Sequence, residues 1–181
     1  MNEGLPEEVS RGLGLFGVKN TLRIIGNNER ALSFRISAEG PLNTGQIDMA
    51  IVYVEMSRRE SVLRKPIPVR LDYPAYQLPV KNLIGMDLNE VGAEKIRAII
   101  TRHEAKDIYD LYHLIENKGI EFDQGMADRK LGYYGKRFSS ELLLDKVSEM
   151  ERYYSKELGG MLFDRLPLFG SVIKSIKAWI T

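Results

Sequence analysis

The apolar residues of this chain change their spacing once, near residue 87, and that change limits the fold to strands followed by helices. Over 18–25 and 32–36 apolar and polar residues alternate around Gly26-Asn27-Asn28-Glu29, a turn signal that predicts a hairpin. After a second turn at Gly40-Pro41-Leu42-Asn43-Thr44-Gly45, the residues Ile47, Met49, Ile51, Tyr53 and Glu55 share one face of a long strand. Pro66 and Pro68 remove backbone donors, so 62–71 is expected as an edge strand or an extended connector, with another short strand over 76–80. From Asp87 the period becomes helical: Leu88, Val91, Lys95, Ala98, Ile99 and Arg102 form one stripe. Asp87 is the expected N-cap, with Glu90 completing a capping box.

Punctuation supplies the remaining elements. Pro6 and the acidic Glu7 and Glu8 open a short helix over 7–16. A helix over 104–117 stops at Gly119, and three more are expected over 122–134, 139–158 and 168–180. The predicted class is therefore α+β: a mostly antiparallel or mixed sheet of about four or five strands, then a helical region. Residues 1–117 are expected as the α+β core and 118–181 as a helical region packed on it.

Composition removes several kinds of chemistry. The chain has no cysteine, which rules out disulfides, thiolate metal sites and cysteine nucleophiles, and its two histidines, His103 and His113, make a histidine metal site improbable. The 26 basic and 25 acidic residues leave a net charge of +1, which argues against a generally basic nucleic-acid binder. The acidic N-terminus lacks signal-peptide order and no apolar run is long enough to span a bilayer, so no membrane partner and a cytoplasmic location are expected.

Charged groups set among apolar positions carry the functional question. Lys95 and Arg102 lie on the apolar stripe of one helix; Asp107, Asp110, Leu111 and Leu114 follow on the next at i, i+3, i+4 and i+7. Two readings stay open. The four side chains form a partly buried ion-pair network between the helices, or they form a phosphate site, with lysine as a point charge, arginine as a fork and an aspartate to orient them or hold Mg2+ through water. Arg58, Arg59, Arg64 and Lys65 offer RNA a basic patch, though a solvated face explains them more simply. Tyr133-Tyr134 and Tyr153-Tyr154 read as packing aromatics, and Gly12, Gly14 and Gly17 lack the context of a phosphate loop. The amphipathic segment 168–180 is expected to dock on the domain or on a second subunit.

The run Glu94-Lys95-Ile96-Arg97-Ala98 with Arg102, then Lys106-Asp107-Ile108-Tyr109-Asp110-Leu111-Tyr112, resembles the signature of the AbiEii family, nucleotidyltransferase-like toxins of type IV toxin–antitoxin systems. Val54-Glu55-Met56-Ser57-Arg58-Arg59-Glu60 resembles that family's strand ending in I-E/D-I-S-x-R-E, and the likeness spans about 15–117. It implies a nucleotidyltransferase-type core using Mg2+ and a nucleoside triphosphate. Glu55 would be the third acidic metal ligand, Lys95 and Asp107 the catalytic pair, and Lys95, Arg102 and Asp110 the nucleotide-binding groups. It also implies a cognate antitoxin.

The sequence departs from the pattern at one point: it has no D-x-D pair, the motif whose carboxylates hold two metal ions for phosphoryl transfer. Three expectations follow. The first is a truncated enzyme completed by a separate N-terminal half that supplies D-x-D. The second is a noncatalytic remnant acting as a nucleotide- or protein-binding module, and the third an interaction domain whose charged cluster is only a brace. A missing strand would leave a sheet edge open to homo-oligomerisation.

Overall fold

The computed structural model describes residues 4–40, 43–45, 48–74, 79–162 and 165–181. The chain divides into two compact units, Met1–Ser61 and Val62–Thr181.

In the first unit, helix α1 (Leu5–Leu15) carries Pro6 and the acidic pair Glu7 and Glu8 in its first turn, where the missing N–H costs nothing and negative charge meets the positive helix end. Gly17 follows with φ 75°, a left-handed conformation that glycine adopts without strain. Strands β1 (Asn20–Asn27), β2 (Ala31–Glu39) and β3 (Met49–Ser57) form an antiparallel sheet in the order β1-β2-β3. The β1–β2 turn is the expected hairpin, held by the Asn28 side chain accepting from the backbone N–H of Arg30 and Ala31. Leu32, Phe34 and Ile36 of β2 point to one face and are buried with Val9 and Leu13 of α1, Leu22, Val54 and Met56.

Met49, Ile51, Tyr53 and Glu55 do alternate onto a common face of β3, but it is the uncovered one, because Val54 pairs in register with the buried Phe34. Ile47 lies outside the described residues.

The second unit holds a separate two-stranded antiparallel sheet, β4 (Ile67–Leu71) and β5 (Lys81–Gly85). The strands thus divide between two sheets, where the sequence suggested one. Pro68 is tolerated in β4 because each strand of a two-stranded ribbon has an unpaired edge. Of the strand expected over 76–80, residues 76–78 lie outside the described residues, and Pro79 and Val80 precede β5 without belonging to it.

Helices α2 (Leu88–Thr101), α3 (Ala105–Lys118), α4 (Gln124–Gly132), α5 (Ser140–Glu149), α6 (Glu151–Leu158) and α7 (Phe169–Trp179) share a core that includes Ile96, Ile99, Ile108, Leu111, Leu131, Leu143, Val147, Val172 and Ile176. Residues 117 and 118 lie in the last turn of α3 within this unit, just before Gly119 ends the helix in the left-handed conformation. The helix expected over 139–158 breaks at Met150. Ser148 bonds back to the Leu144 carbonyl just before the break, a contact that bends helices.

Gly92 is where α2 comes closest to its neighbours: a Cβ there would meet Ile120 Cδ1 at 2.6 Å and the Trp179 ring at 3.7 Å. Helix α7 buries Val172 and Ile176 in this same core, so the amphipathic tail docks on its own unit. No described helix is long and apolar enough to cross a membrane.

Candidate functional site

Helix α2 ends at Arg102 in extended backbone and α3 begins at Ala105, so a tight connection brings the end of one against the first turn of the other. Asp87 caps α2 as expected, accepting from the N–H groups of Asn89 and Glu90 at 3.0 and 3.3 Å. The expected capping box is not completed, because the Glu90 carboxylate turns into the interior.

The α2–α3 junction gathers Lys95, Arg102, Asp107 and Asp110. Asp107, on the first turn of α3, is 0% exposed. Arg102 grips it with a two-pronged fork, Nε to Oδ2 at 2.8 Å and Nη2 to Oδ1 at 2.9 Å. Lys95 Nζ donates to Asp107 Oδ1 at 3.0 Å and to Asp110 Oδ2 at 2.5 Å. The cations keep an outer side: the Lys95 side chain is 23% exposed and that of Arg102 45%, with Asp110 at 44%.

Burial works to raise the Asp107 carboxyl, yet the hydrogen bonds from Arg102 and Lys95 prevail and hold it below the usual carboxylate range. Lys95 is raised: burial opposes its charge and the two aspartates outweigh burial. Arg102 is raised chiefly by its hydrogen bonds to Asp107. Chemically, Asp107 is an anchor. Both oxygens are engaged by cations, so it offers neither a metal ligand nor a base in this arrangement, while it fixes two cations side by side.

A second network escaped sequence reasoning. Buried Lys130 of α4 donates to Glu90 Oε1 at 2.6 Å and lies 2.9 Å from Glu94 Oε1. Glu90 also accepts from the backbone N–H of Leu63 and Arg64, each at 2.8 Å. Burial favours the neutral Glu90, but Lys130 and these two N–H groups lower its carboxyl. The available signal was Lys130 beside the core positions Ala127 and Leu131, with Glu90 and Glu94 one turn apart on α2. The network pins the segment entering the second unit onto α2.

The other expected groups lie elsewhere. Glu55 is exposed on β3 of the first unit, opposite Ser33. Among the described residues no three His, Cys, Asp or Glu side chains cluster to hold a metal ion, and Mg2+ needs several oxygen ligands in near-octahedral array. The described residues alone therefore do not supply the set of oxygen ligands that Mg2+ needs.

The basic patch is divided between the units and engaged locally. Arg58 donates to Asn27 and Asn28, and Arg64 lies 3.5 Å from both Asp87 and Asp123. Tyr154 is buried against Phe169, as a packing aromatic should be.

A family model described as "Nucleotidyl transferase AbiEii toxin, Type IV TA system" matches residues 5–179. Comparison with curated proteins and with solved structures gives no match.

Proposed function

This chain belongs to the AbiEii family of nucleotidyltransferase toxins of type IV toxin–antitoxin systems, and on that premise we propose that its helical unit receives the polyphosphate of a nucleoside triphosphate on Lys95 and Arg102. The observation that carries this is the burial of Asp107 beneath two cations that remain open on their outer sides. A fixed ammonium and a guanidinium fork, set in place before ligand arrives, are suited to phosphate oxygens. Asp110 is the exposed group that a phosphate oxygen replaces on Lys95, and Asp107 is the positioning residue.

Nucleotidyl transfer itself joins an acceptor hydroxyl to the α-phosphorus and releases pyrophosphate. It calls for a metal-holding acidic pair, and no D-x-D lies in these 181 residues. Transfer is proposed for an assembly in which another segment or chain contributes that pair, with Glu55 as the acid this chain brings. Mg2+, a cognate antitoxin and a cytoplasmic setting belong to the same proposal.

The test is thermal unfolding followed by Trp179, the single tryptophan, with and without ATP or GTP. Saturation at a hundred times Kd adds about 2.7 kcal/mol, or roughly 10 °C for the helical unit. The nucleotide is expected to raise the melting temperature of the wild type and not that of Lys95→Ala.

A second reading is favoured by the closure of the network, in which every charge already has a protein partner: the cluster braces α2 against α3. Under it Lys95→Ala merely lowers the melting temperature and no nucleotide shifts it.

A further inference from the structure

The two helices that carry the Lys95–Arg102–Asp107–Asp110 cluster meet end to end, and each of the facing ends takes its cap from a distant part of the chain. A helix leaves its last carbonyls and its first N–H groups without internal partners, the former at a negative pole and the latter at a positive one. The last turn of α2 holds no basic residue, and Glu104, the N-cap of α3, makes no capping hydrogen bond with its side chain. Lys136, on the connection between α4 and α5, donates instead to the Ile100 carbonyl of α2 at 3.2 Å. Glu157 of α6 accepts from the N–H of Ala105, the first residue of α3, at 3.0 Å. A cation thus sits on the negative end and a carboxylate on the positive one, on either side of the short connection that the Arg102–Asp107 fork spans.

The fold delivers both groups. Lys136 follows Gly135, which takes the left-handed conformation just after α4 ends. Helix α6 is seated in the core by the buried Tyr154 and Leu158, and Glu157 lies three residues after Tyr154, on the same side of the helix. The break at Met150 gives α6 a course separate from that of α5. Both contacts end on backbone atoms, so the two residues act on the cluster through the placement of the helices.

We propose that Glu157 and Lys136 are positioning residues for the phosphate-binding pair: they fix where α2 stops and α3 starts, and thereby how Lys95 and Arg102 stand relative to each other. This rests on the triphosphate reading above and adds to it two residues outside the run 94–112. Displacements of about 1 Å in a preorganised site are costly even when they originate far from the ligand. Glu157 is the more decisive of the two, because its charge and its position act on a polyanion in opposite directions. As a bystander carboxylate it repels phosphate, and removing it would tighten binding. As a cap it holds the turn that carries Asp107, and removing it weakens binding.

ATP affinity of the full chain is measured by isothermal titration well below the melting temperature. Glu157→Ala is expected to weaken binding about fivefold, the equivalent of one lost cap. Glu157→Gln, which keeps an oxygen acceptor, should stay within about twofold of the wild type. Lys136→Met should also weaken binding and Lys136→Arg restore it. Ile176→Val, a core truncation in α7, is the stability control and leaves affinity unchanged. A second readout needs no nucleotide: the Arg102 Nε–H, held by Asp107, should give a protected signal in 15N-edited NMR that Glu157→Ala loses and Glu157→Gln retains.

Tighter binding in Glu157→Ala and Glu157→Gln alike would make Glu157 a bystander charge. A lowered melting temperature with unchanged affinity and an unchanged Arg102 signal would make it a brace, and equal weakening in Ile176→Val would make the loss one of stability alone. Each of these overturns the proposal. If the wild type takes up no ATP, the triphosphate reading fails, and the placement of Arg102 by Glu157 is decided by the Nε signal.

Discussion

Replacing Asp107 by asparagine keeps the shape of the side chain and removes the charge on which the α2–α3 junction is organised. Three charge-assisted hydrogen bonds end on this buried carboxylate, at 2.8, 2.9 and 3.0 Å. Breaking a fully buried ion pair from one side costs about 3–5 kcal/mol. Here the abandoned partners can re-enter water, since Arg102 is nearly half exposed and Lys95 retains Asp110, so the screened cost falls to about 2–3 kcal/mol.

The helical unit spans Val62–Thr181, 120 residues. An unfolding entropy of about 2.1 cal/mol/K per residue then converts that loss to a fall of roughly 8–12 °C in melting temperature. Trp179 is the natural reporter, because it packs on Phe122 and donates to the Ile120 carbonyl inside this unit. Asp110→Asn is the internal comparison: an exposed ion pair is worth under about 1 kcal/mol, or less than roughly 4 °C. Equal losses in the two variants would refute the claim that Asp107 is the anchor.

Acid should act through the same residue. The folded Asp107 and Glu90 carboxyls sit below their ordinary values, so the stability they contribute is present above about pH 4 and is lost as pH falls through the lowered folded values. Melting temperature should decline below about pH 4, and Asp107→Asn should decline less steeply. At the other extreme the raised Lys95 contributes below about pH 10.4 and loses its contribution as pH rises further, a limb that Lys95→Ala should lack. Tyr154→Phe should leave stability unchanged or raise it by up to about 1 kcal/mol in urea unfolding: the Tyr154 hydroxyl is buried with no hydrogen-bond partner and its pKa is pushed up to about 12, chiefly by that burial. A loss exceeding about 1 kcal/mol would reveal a partner for that hydroxyl.

The helices were legible from residue 87 onward because apolar spacing and caps agree there, and the same spacing placed Lys95, Arg102, Asp107 and Asp110 on facing turns. What periodicity could not settle was which face of an element is covered. Along β3 it grouped Ile51, Tyr53 and Glu55 correctly, yet the packed side belongs to Val54 and Met56, a choice made by α1 through Val9 and Leu13. Glu90 illustrates competition between local and tertiary partners: three residues after an N-cap it fits a capping box, and Lys130, distant in sequence, draws it inward instead. The break at Met150 was hidden because nothing in the apolar pattern of 139–158 interrupts a single helix; a serine hydroxyl bonding backwards leaves no periodic trace. The division of the strands between two sheets depends on pairing partners, which alternation does not name.

The affinity of Asp110→Asn for ATP, measured by isothermal titration beside the wild type, tests the central claim most directly. If Lys95 is a phosphate group's partner, Asp110 competes for the same ammonium from 2.5 Å away, and neutralising it should tighten binding about three- to tenfold. Unchanged or weaker affinity in Asp110→Asn, or no binding by either protein, would contradict the account and leave the cluster as a brace between two helices.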